Sequence, residues 1–191
     1  MDGLTICEQS EGYADAQPDG TCTAYWDSLG CVWTCGFGTT GAGVVSGTHW
    51  TRAEAVQNLL TGWNTARSGV LRASPCLADP ANANRLDAIT DFAYNEGVGR
   101  YQASTLRTYV NQGNFQAASL EFPKWNLAGG KVQAGLVTRR HLEQALFLSP
   151  VAPATAPSVV QTTAQDDNPP SAAVQPSLGT LLRAFFRSLF G

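Results

Sequence analysis

The chain has 191 residues, of which 43% are apolar and 14% are charged, and its formal net charge is −3. Chains of about 150 residues bury roughly 70% of the surface that they expose when unfolded, so the composition predicts a full hydrophobic core and excludes global disorder. Residues 1–50 contain six acidic residues and no Lys or Arg, so we expect no nucleic acid partner, because such a partner requires a dense basic face.

The amino-terminal residues predict a short helix that ends near Glu11 and Gly12. The opening segment MDGLTICEQS has an acidic residue where a signal peptide carries Lys or Arg, and no apolar region follows it. No stretch reaches the roughly 18 apolar residues of a membrane span. We therefore expect neither a signal peptide nor a transmembrane segment.

Five cysteines, an odd number, are concentrated near the amino end: Cys7, Cys22, Cys31, Cys35 and Cys76. The two histidines, His49 and His141, lie far from any cysteine pair with zinc-ligand spacing, so we predict no metal site. One or two disulfides near the amino end are expected if the protein works in an oxidising compartment, and their pairing stays open.

Strand-like sequence is confined to residues 22–46, where CVWTCGFG predicts a β-hairpin or short meander. Thr51 and Glu54 form the pattern of a capping box at the start of a helix over residues 51–64. Further helical patterns cover residues 82–96, 103–111, 114–122 and 134–148. The expected fold class is α+β, with a small acidic β lobe before a larger helical lobe.

The composition changes at Ser149. Residues 149–176 contain six prolines and no aromatic residue, which predicts an extended linker. Residues 177–191 then predict an amphipathic helix, with seven Leu and Phe residues on one face and Arg183 and Arg187 on the other. Such a helix either lies in a membrane interface, or it docks on the main domain or self-associates, and the sequence favours neither possibility. The predicted domains are thus 1–148, 149–176 and 177–191.

Several motifs occur in a fixed order along residues 4–148: Glu11-Gly12, AYWDSLGCVWTCGFGTTG, RLDAITDFAYNEG, STL and AGGKVQAGLVTRRHLEQALF. Together they resemble the phage-type lysozymes of glycoside hydrolase family 24, which include the endolysins of T4 and lambdoid phages. The resemblance implies a lysozyme-like fold and hydrolysis of the β-1,4 bond between N-acetylmuramic acid and N-acetylglucosamine in bacterial peptidoglycan, for host cell lysis. It implies no cofactor.

The catalytic trio of that family is matched here by Glu11, Asp27 and Thr34. By resemblance, Glu11 would protonate the glycosidic oxygen, while Asp27 and Thr34 would hold a water on the opposite face, giving inversion. Fifteen residues separate Glu11 from Asp27, more than is usual in the family, and the inserted loop GYADAQPDGTC, residues 12–22, carries a second acidic candidate, Asp19. Tyr25 before Asp27 and the glycines after it favour Asp27.

Three other residues are expected to contact the substrate. Asn95, at the end of a predicted helix, would frame the site. Arg139 has the planar guanidinium that suits muramic or stem-peptide carboxylates, although either Arg139 or Arg140 is expected to pair with an acid such as Glu143. Trp33 offers a flat ring for stacking on a sugar.

The sequence leaves other functions open. The chain could be a non-catalytic peptidoglycan-binding module, or a carrier whose terminal helix is the lytic agent. A lytic transglycosylase is a further alternative, since one Glu suffices for that reaction. For an endolysin we expect a monomer that resides in the host cytoplasm before lysis and acts on the cell wall in the periplasm.

Overall fold

The computed structural model describes residues 1–14, 16–28 and 31–151. The predicted helix over 177–191, and all of the predicted linker beyond residue 151, lie outside the described residues. The helices are α1 (Gly3–Glu11), α2 (Arg52–Ala73), α3 (Ala83–Glu96), α4 (Val98–Gln102), α5 (Thr105–Asn111), α6 (Phe115–Ser119) and α7 (Ala134–Leu148). The strands are β1 (Cys22–Thr23), β2 (Tyr25–Asp27), β3 (Val32–Thr34), β4 (His49–Trp50), β5 (Leu127–Ala128) and β6 (Lys131–Val132).

The prediction of an α+β fold is confirmed, with short antiparallel strand pairs beside a larger helical lobe. The predicted hairpin is formed by β2 and β3, and β1 pairs with β4. We call residues 12–50 the β lobe and residues 52–148 the helical lobe. The expectation that strands stop at residue 46 was wrong, because β4 lies beyond it and β5 pairs with β6 across Gly129 and Gly130. Both glycines have positive φ, as a two-residue hairpin turn requires.

The capping box predicted at the start of α2 is present. The Thr51 hydroxyl accepts a hydrogen bond from the Glu54 N–H, and the Glu54 carboxylate accepts one from the Thr51 N–H. The predicted end near residue 64 was too early, since α2 continues to Ala73 and buries Ala66 and Val70 in its last turns. It stops where Pro75 disfavours helical geometry at the preceding residue.

Two hydrophobic clusters share α1 and α2. The cluster of the β lobe contains Cys7 of α1 and Leu59 and Trp63 of α2, whereas the cluster of the helical lobe contains Ile6 and Val70 of the same two helices. In the helical lobe, Phe92 of α3 packs edge-to-face against three aromatic rings, those of Tyr101, Phe122 and Trp125. The two lobes are therefore joined through α1 and α2, with α3 at the centre of the helical lobe.

Two shorter elements departed from expectation. The segment predicted as a helix over 114–122 forms α6 followed by a 3₁₀ turn at Phe122–Lys124, which contains Pro123. The five-residue helix α4 was missed because Gly97, in a positive-φ conformation, separates it from α3. Among the described residues, no helix combines the length and the apolar character needed to cross a bilayer.

Candidate active site

An open cleft of about 510 Å³ separates the β lobe from the helical lobe. The turn Gly38–Thr40 lines one side, and α2 and the carboxyl end of α3 line the other. Glu11 is the only acidic side chain among the described residues that line it. Asn95 also lines this cleft, so two of the residues predicted from sequence come together here.

Glu11 is the last residue of α1. The helix ends there because Gly12 adopts a positive φ of 68°, and its N–H bonds to the carbonyl of Glu8. The Glu11 side chain is 20% exposed, and its Oε1 accepts a hydrogen bond from Arg139 Nη1 at 2.6 Å. Its Oε2 lies so close to Gly38 that a Cβ at that position would be 2.5 Å away. Glu11 is therefore held between an arginine and a glycine turn, with part of its carboxylate facing the cleft.

Arg139 lies behind Glu11 and is only 4% exposed. Its Nε and Nη2 donate to the two carboxylate oxygens of Asp91 at 3.0 and 2.8 Å, while Nη1 donates to Glu11. Burial opposes the charged form of Arg139, but Asp91 and Glu11 outweigh it and raise the pKa of the guanidinium. This placement differs from the expectation that Arg139 would grip a substrate carboxylate, because its three donor groups are already engaged.

Arg140 is fully buried and donates hydrogen bonds both to Glu143 and to Asn95, which lines the cleft. Its Nη2 donates to Glu143 Oε1 at 2.6 Å and to Asn95 Oδ1 at 3.0 Å, and its Nη1 reaches Glu96 Oε1 at 3.3 Å. The predicted pairing of one arginine with Glu143 is thus present. Burial raises the pKa of Glu143 well above its ordinary value and lowers the pKa of Arg140. The same Oε1 of Glu143 lies 3.7 Å from Arg139 Nε, so one buried carboxyl group contacts both arginines.

Asp27 and Thr34 lie on neighbouring strands of the β2–β3 hairpin. Tyr25 is opposite Thr34 and Asp27 is opposite Val32, so these four residues share one face of the hairpin. Thr34 is 4% exposed, and its hydroxyl makes no hydrogen bond to another described residue. The hairpin therefore presents a carboxylate and a buried hydroxyl on the same side.

Trp33 occupies the other face of this hairpin. It is opposite Trp26, and the two rings meet edge-to-face with centroids 5.6 Å apart. Trp33 is partly buried against the cluster of the β lobe, while Trp26 is 51% exposed. Trp33 thus lies on the face opposite Asp27 and Thr34, and Trp26 is the more exposed of the two rings.

Asp19, the competing acid, caps its own loop. Its Oδ1 accepts hydrogen bonds from the N–H and the hydroxyl of Thr21, at 3.0 and 2.6 Å. These hydrogen bonds lower the pKa of Asp19, which lies on the exposed surface. The carboxylate therefore has a local role in the turn.

Tyr25 is influenced by both Asp27 and Glu11. Burial raises the pKa of the Tyr25 hydroxyl, and the negative charges of Asp27 and then Glu11 raise it further. Both carboxylates therefore lie within electrostatic reach of one phenol, since charge interactions at a protein surface fade over about 10 Å.

Sequence reasoning missed Asp91, which is fully buried on α3 and anchors Arg139. The signal was present, because Asp91 is an acidic residue within an apolar stretch of a predicted helix, and a buried acid requires a charged partner. The identity of that partner depends on packing between α3 and α7, which no local pattern reveals.

Comparison with known proteins gives a family match and several relatives. The family model described as phage lysozyme matches residues 17–143. An endolysin of Bacillus phage PZA is 40% identical over 117 residues, which cover 61% of this chain and 44% of that protein. A SAR-endolysin of Enterobacteria phage PA-2 is 32% identical over 124 residues, which cover 65% of this chain and 73% of that protein.

A solved structure agrees with the fold. The endolysin from Escherichia coli O157:H7 phage FAHEc1 superposes with a TM-score of 0.64 at 29% identity, covering 79% of this chain and 93% of that one. The present chain spans less than half the length of the Bacillus phage PZA endolysin. The family match begins at residue 17, beyond Glu11, and includes Asp27, Thr34, Asn95 and Arg139.

Proposed function

Because the chain belongs to the phage lysozyme family, we propose that it is an endolysin that hydrolyses the β-1,4 bond between N-acetylmuramic acid and N-acetylglucosamine in bacterial peptidoglycan. The observation that carries the proposal is the position of Glu11, an acid at the end of α1 that lines the cleft between the two lobes. Glu11 is the proton donor to the glycosidic oxygen, a role that requires a carboxyl group facing the bound bond.

Asp27 and Thr34 act on the opposite face of the sugar in this proposal. Asp27 is the base that removes a proton from the attacking water, and the Thr34 hydroxyl, which lacks a hydrogen-bond partner among the described residues, holds that water. Attack by water opposite the leaving group inverts the anomeric carbon. The negative charges of Asp27 and Glu11 both raise the pKa of Tyr25, which supports a position near Tyr25 for each acid.

The acidic residues of the first 50 positions, which include no Lys or Arg, would stabilise an oxocarbenium-like transition state, because that state carries positive charge. Positive charge develops on the sugar ring as the bond breaks, so a nearby carboxylate lowers the energy of the transition state and a cation would raise it. Residues 1–50 have no Lys or Arg. The arginine that reaches the site, Arg139, has its positive charge offset by the buried carboxylate of Asp91.

Arg139 is a positioning residue in this mechanism. It fixes Glu11 through the 2.6 Å hydrogen bond, and Asp91 in turn fixes Arg139 through two hydrogen bonds. Asn95 is held in a similar way by Arg140 and faces the cleft, where its amide suits polar groups of the glycan. Trp33 lies on the other face of the hairpin beside Trp26, and its ring is the surface that we propose for stacking on a sugar.

Analysis of the released products tests the function. Wild-type protein should release muropeptides with reducing ends, identified by mass spectrometry, whereas anhydro ends would indicate a lytic transglycosylase. Asp27→Asn should lower the rate about 100-fold, because it removes a general base. Asp19→Asn is the matched control and should keep the wild-type rate. Equal loss in both variants, or none in Asp27→Asn, would contradict the assignment of Asp27.

We further propose that residues 1–148 form the catalytic domain, residues 149–176 a linker and residues 177–191 an amphipathic helix that contacts the membrane. The protein would reside in the host cytoplasm before lysis and act on the wall in the periplasm. In sequence, the helix pairs a Leu- and Phe-rich face with Arg183 and Arg187. Such a helix binds an interface through its apolar face, with about 1 kcal/mol from each Arg near anionic lipid.

Vesicle binding tests this role of the terminal segment. The full chain should sediment with vesicles that contain phosphatidylglycerol, and the variant Phe185→Asp/Phe186→Asp should not, because charge is placed on the apolar face. The control Val159→Asp/Val160→Asp adds the same charge within the linker and should still sediment. Unchanged binding by the Phe variant would exclude the membrane role.

A further inference from the structure

Two cysteines that take no part in the proposed chemistry lie side by side in the core of the β lobe. The Sγ atoms of Cys22 and Cys35 are 3.4 Å apart, and both residues have 0% exposure. Cys22 belongs to β1, and Cys35 directly follows β3. The two are separated by 13 positions in the sequence, so a bond between them would close a short loop.

The other three sulfurs have different surroundings. Cys7 Sγ accepts a hydrogen bond from Arg139 at 3.8 Å, and burial raises the pKa of its thiol. Cys31 Sγ lies 3.6 Å from the Ser28 carbonyl, and Cys76 Sγ lies 3.7 Å from the Val110 carbonyl. Cys22 and Cys35 are therefore the cysteine pair that the described structure brings together.

The pair connects two segments that shape the site. Cys22 ends the inserted loop and pairs with Trp50 of β4. Cys35 and Thr39 exchange two backbone hydrogen bonds of 3.0 Å and so close the turn that contains Gly38. Gly38 in turn contacts the Glu11 carboxylate. A covalent link at this point would brace the loop and the turn behind Glu11.

We propose that Cys22 and Cys35 form a disulfide when the protein meets an oxidising disulfide compound. A disulfide requires sulfurs about 2.05 Å apart, so rotation of the two side chains must bring them closer than in the dithiol form described here. One cysteine thiolate attacks the S–S bond of the oxidant and releases one thiol. The second thiolate then displaces the remaining half. In total two protons leave the cysteines, and two electrons reduce one oxidant disulfide to two thiols.

The disulfide should stabilise the β lobe by restricting the unfolded chain. For a closed loop of about 15 residues in a protein of this size, the expected rise in Tm is about 6 to 12 °C. Both sulfurs are buried, so oxidation proceeds during folding or through local opening of the lobe. The proposal is independent of the proposed function, because its readouts are a covalent bond and a melting temperature.

The experiment uses the full chain, refolded in a mixture of oxidised and reduced glutathione. After alkylation in denaturant and proteolysis without reductant, mass spectrometry should find a peptide that links Cys22 to Cys35, with Cys7, Cys31 and Cys76 alkylated. Oxidised protein should melt about 6 to 12 °C higher than protein kept in reductant.

Two variants make the test specific. Cys22→Ala/Cys35→Ala should melt at the same temperature in oxidant and reductant, whereas Cys31→Ala/Cys76→Ala should keep the wild-type difference. Comparing each variant with itself removes any cost of the substitutions. Alkylation of both Cys22 and Cys35 in the oxidised protein, a link to another cysteine, or a linked pair with unchanged Tm would each overturn the proposal.

Discussion

Replacing Glu11 with Gln should lower kcat for hydrolysis of purified cell walls by about 1000-fold, while KM changes little. Gln has almost the same size as Glu, and its carbonyl oxygen can still accept the hydrogen bond that Arg139 donates at 2.6 Å. The N–H groups of the amide are far too weakly acidic to protonate the leaving oxygen, so only the transition state loses an interaction. Release of soluble muropeptides over time measures the effect.

Glu8→Gln is the matched control for this prediction. Glu8 lies one turn earlier on the same helix and does not line the cleft, so the same substitution should leave kcat at the wild-type value. Equal melting temperatures for the two variants would show that both are folded. Undiminished hydrolysis by Glu11→Gln would remove Glu11 from the role of proton donor.

The variants Gly38→Ala and Gly47→Ala test the role of Glu11 as proton donor without replacing Glu11 itself. Gly38→Ala would put a Cβ 2.5 Å from Glu11 Oε2 at a φ of +73°, whereas Gly47→Ala has a similar φ of +81° and nothing within 4 Å. Both variants should lose about 1 to 2 kcal/mol of stability from the left-handed backbone. Hydrolysis should fall in Gly38→Ala alone, because there the carboxylate must move.

The parts of this structure that sequence could predict depend on residues close together in the chain. The capping box of Thr51 and Glu54 spans one helical turn, and Glu11 could be placed at a helix end because Gly12 follows it. The β2–β3 hairpin likewise follows from two strand-like segments that only four residues separate in the sequence. In each case the residues that form the sequence pattern and the residues that make the contact lie within about ten positions of one another.

The surroundings of Glu11 could not be predicted in this way. Its partner Arg139 is 128 positions away, and Asp91 is 48 positions from Arg139. A surface arginine and a buried one look alike in a sequence, because the difference comes from which helices pack together. Arg139 was therefore expected in contact with substrate, when its guanidinium is in fact enclosed between α1, α3 and α7.

The largest effect on stability is expected from Arg139→Leu, which should lower the free energy of unfolding by about 3 to 5 kcal/mol. Leu fills part of the space of the Arg side chain but leaves Asp91, which is fully buried, without the two hydrogen bonds that neutralise it. A buried carboxylate without a partner is strongly unfavourable. Urea unfolding followed by tryptophan fluorescence measures the change.

Arg67→Leu provides the same substitution in a partly exposed ion pair. The side chains of Arg67 and Asp87 are 35% and 26% exposed, so water replaces the lost partner and the expected cost is about 0 to 1 kcal/mol. Similar losses of unfolding free energy in Arg67→Leu and Arg139→Leu would show that burial of the ion pair does not determine the cost.

A double variant tests the cause of the cost at Arg139. If the cost arises from an uncompensated charge on Asp91, adding Asp91→Asn to Arg139→Leu should restore part of the stability. Hydrolysis should stay low in that double variant, because Glu11 still lacks the arginine that positions it.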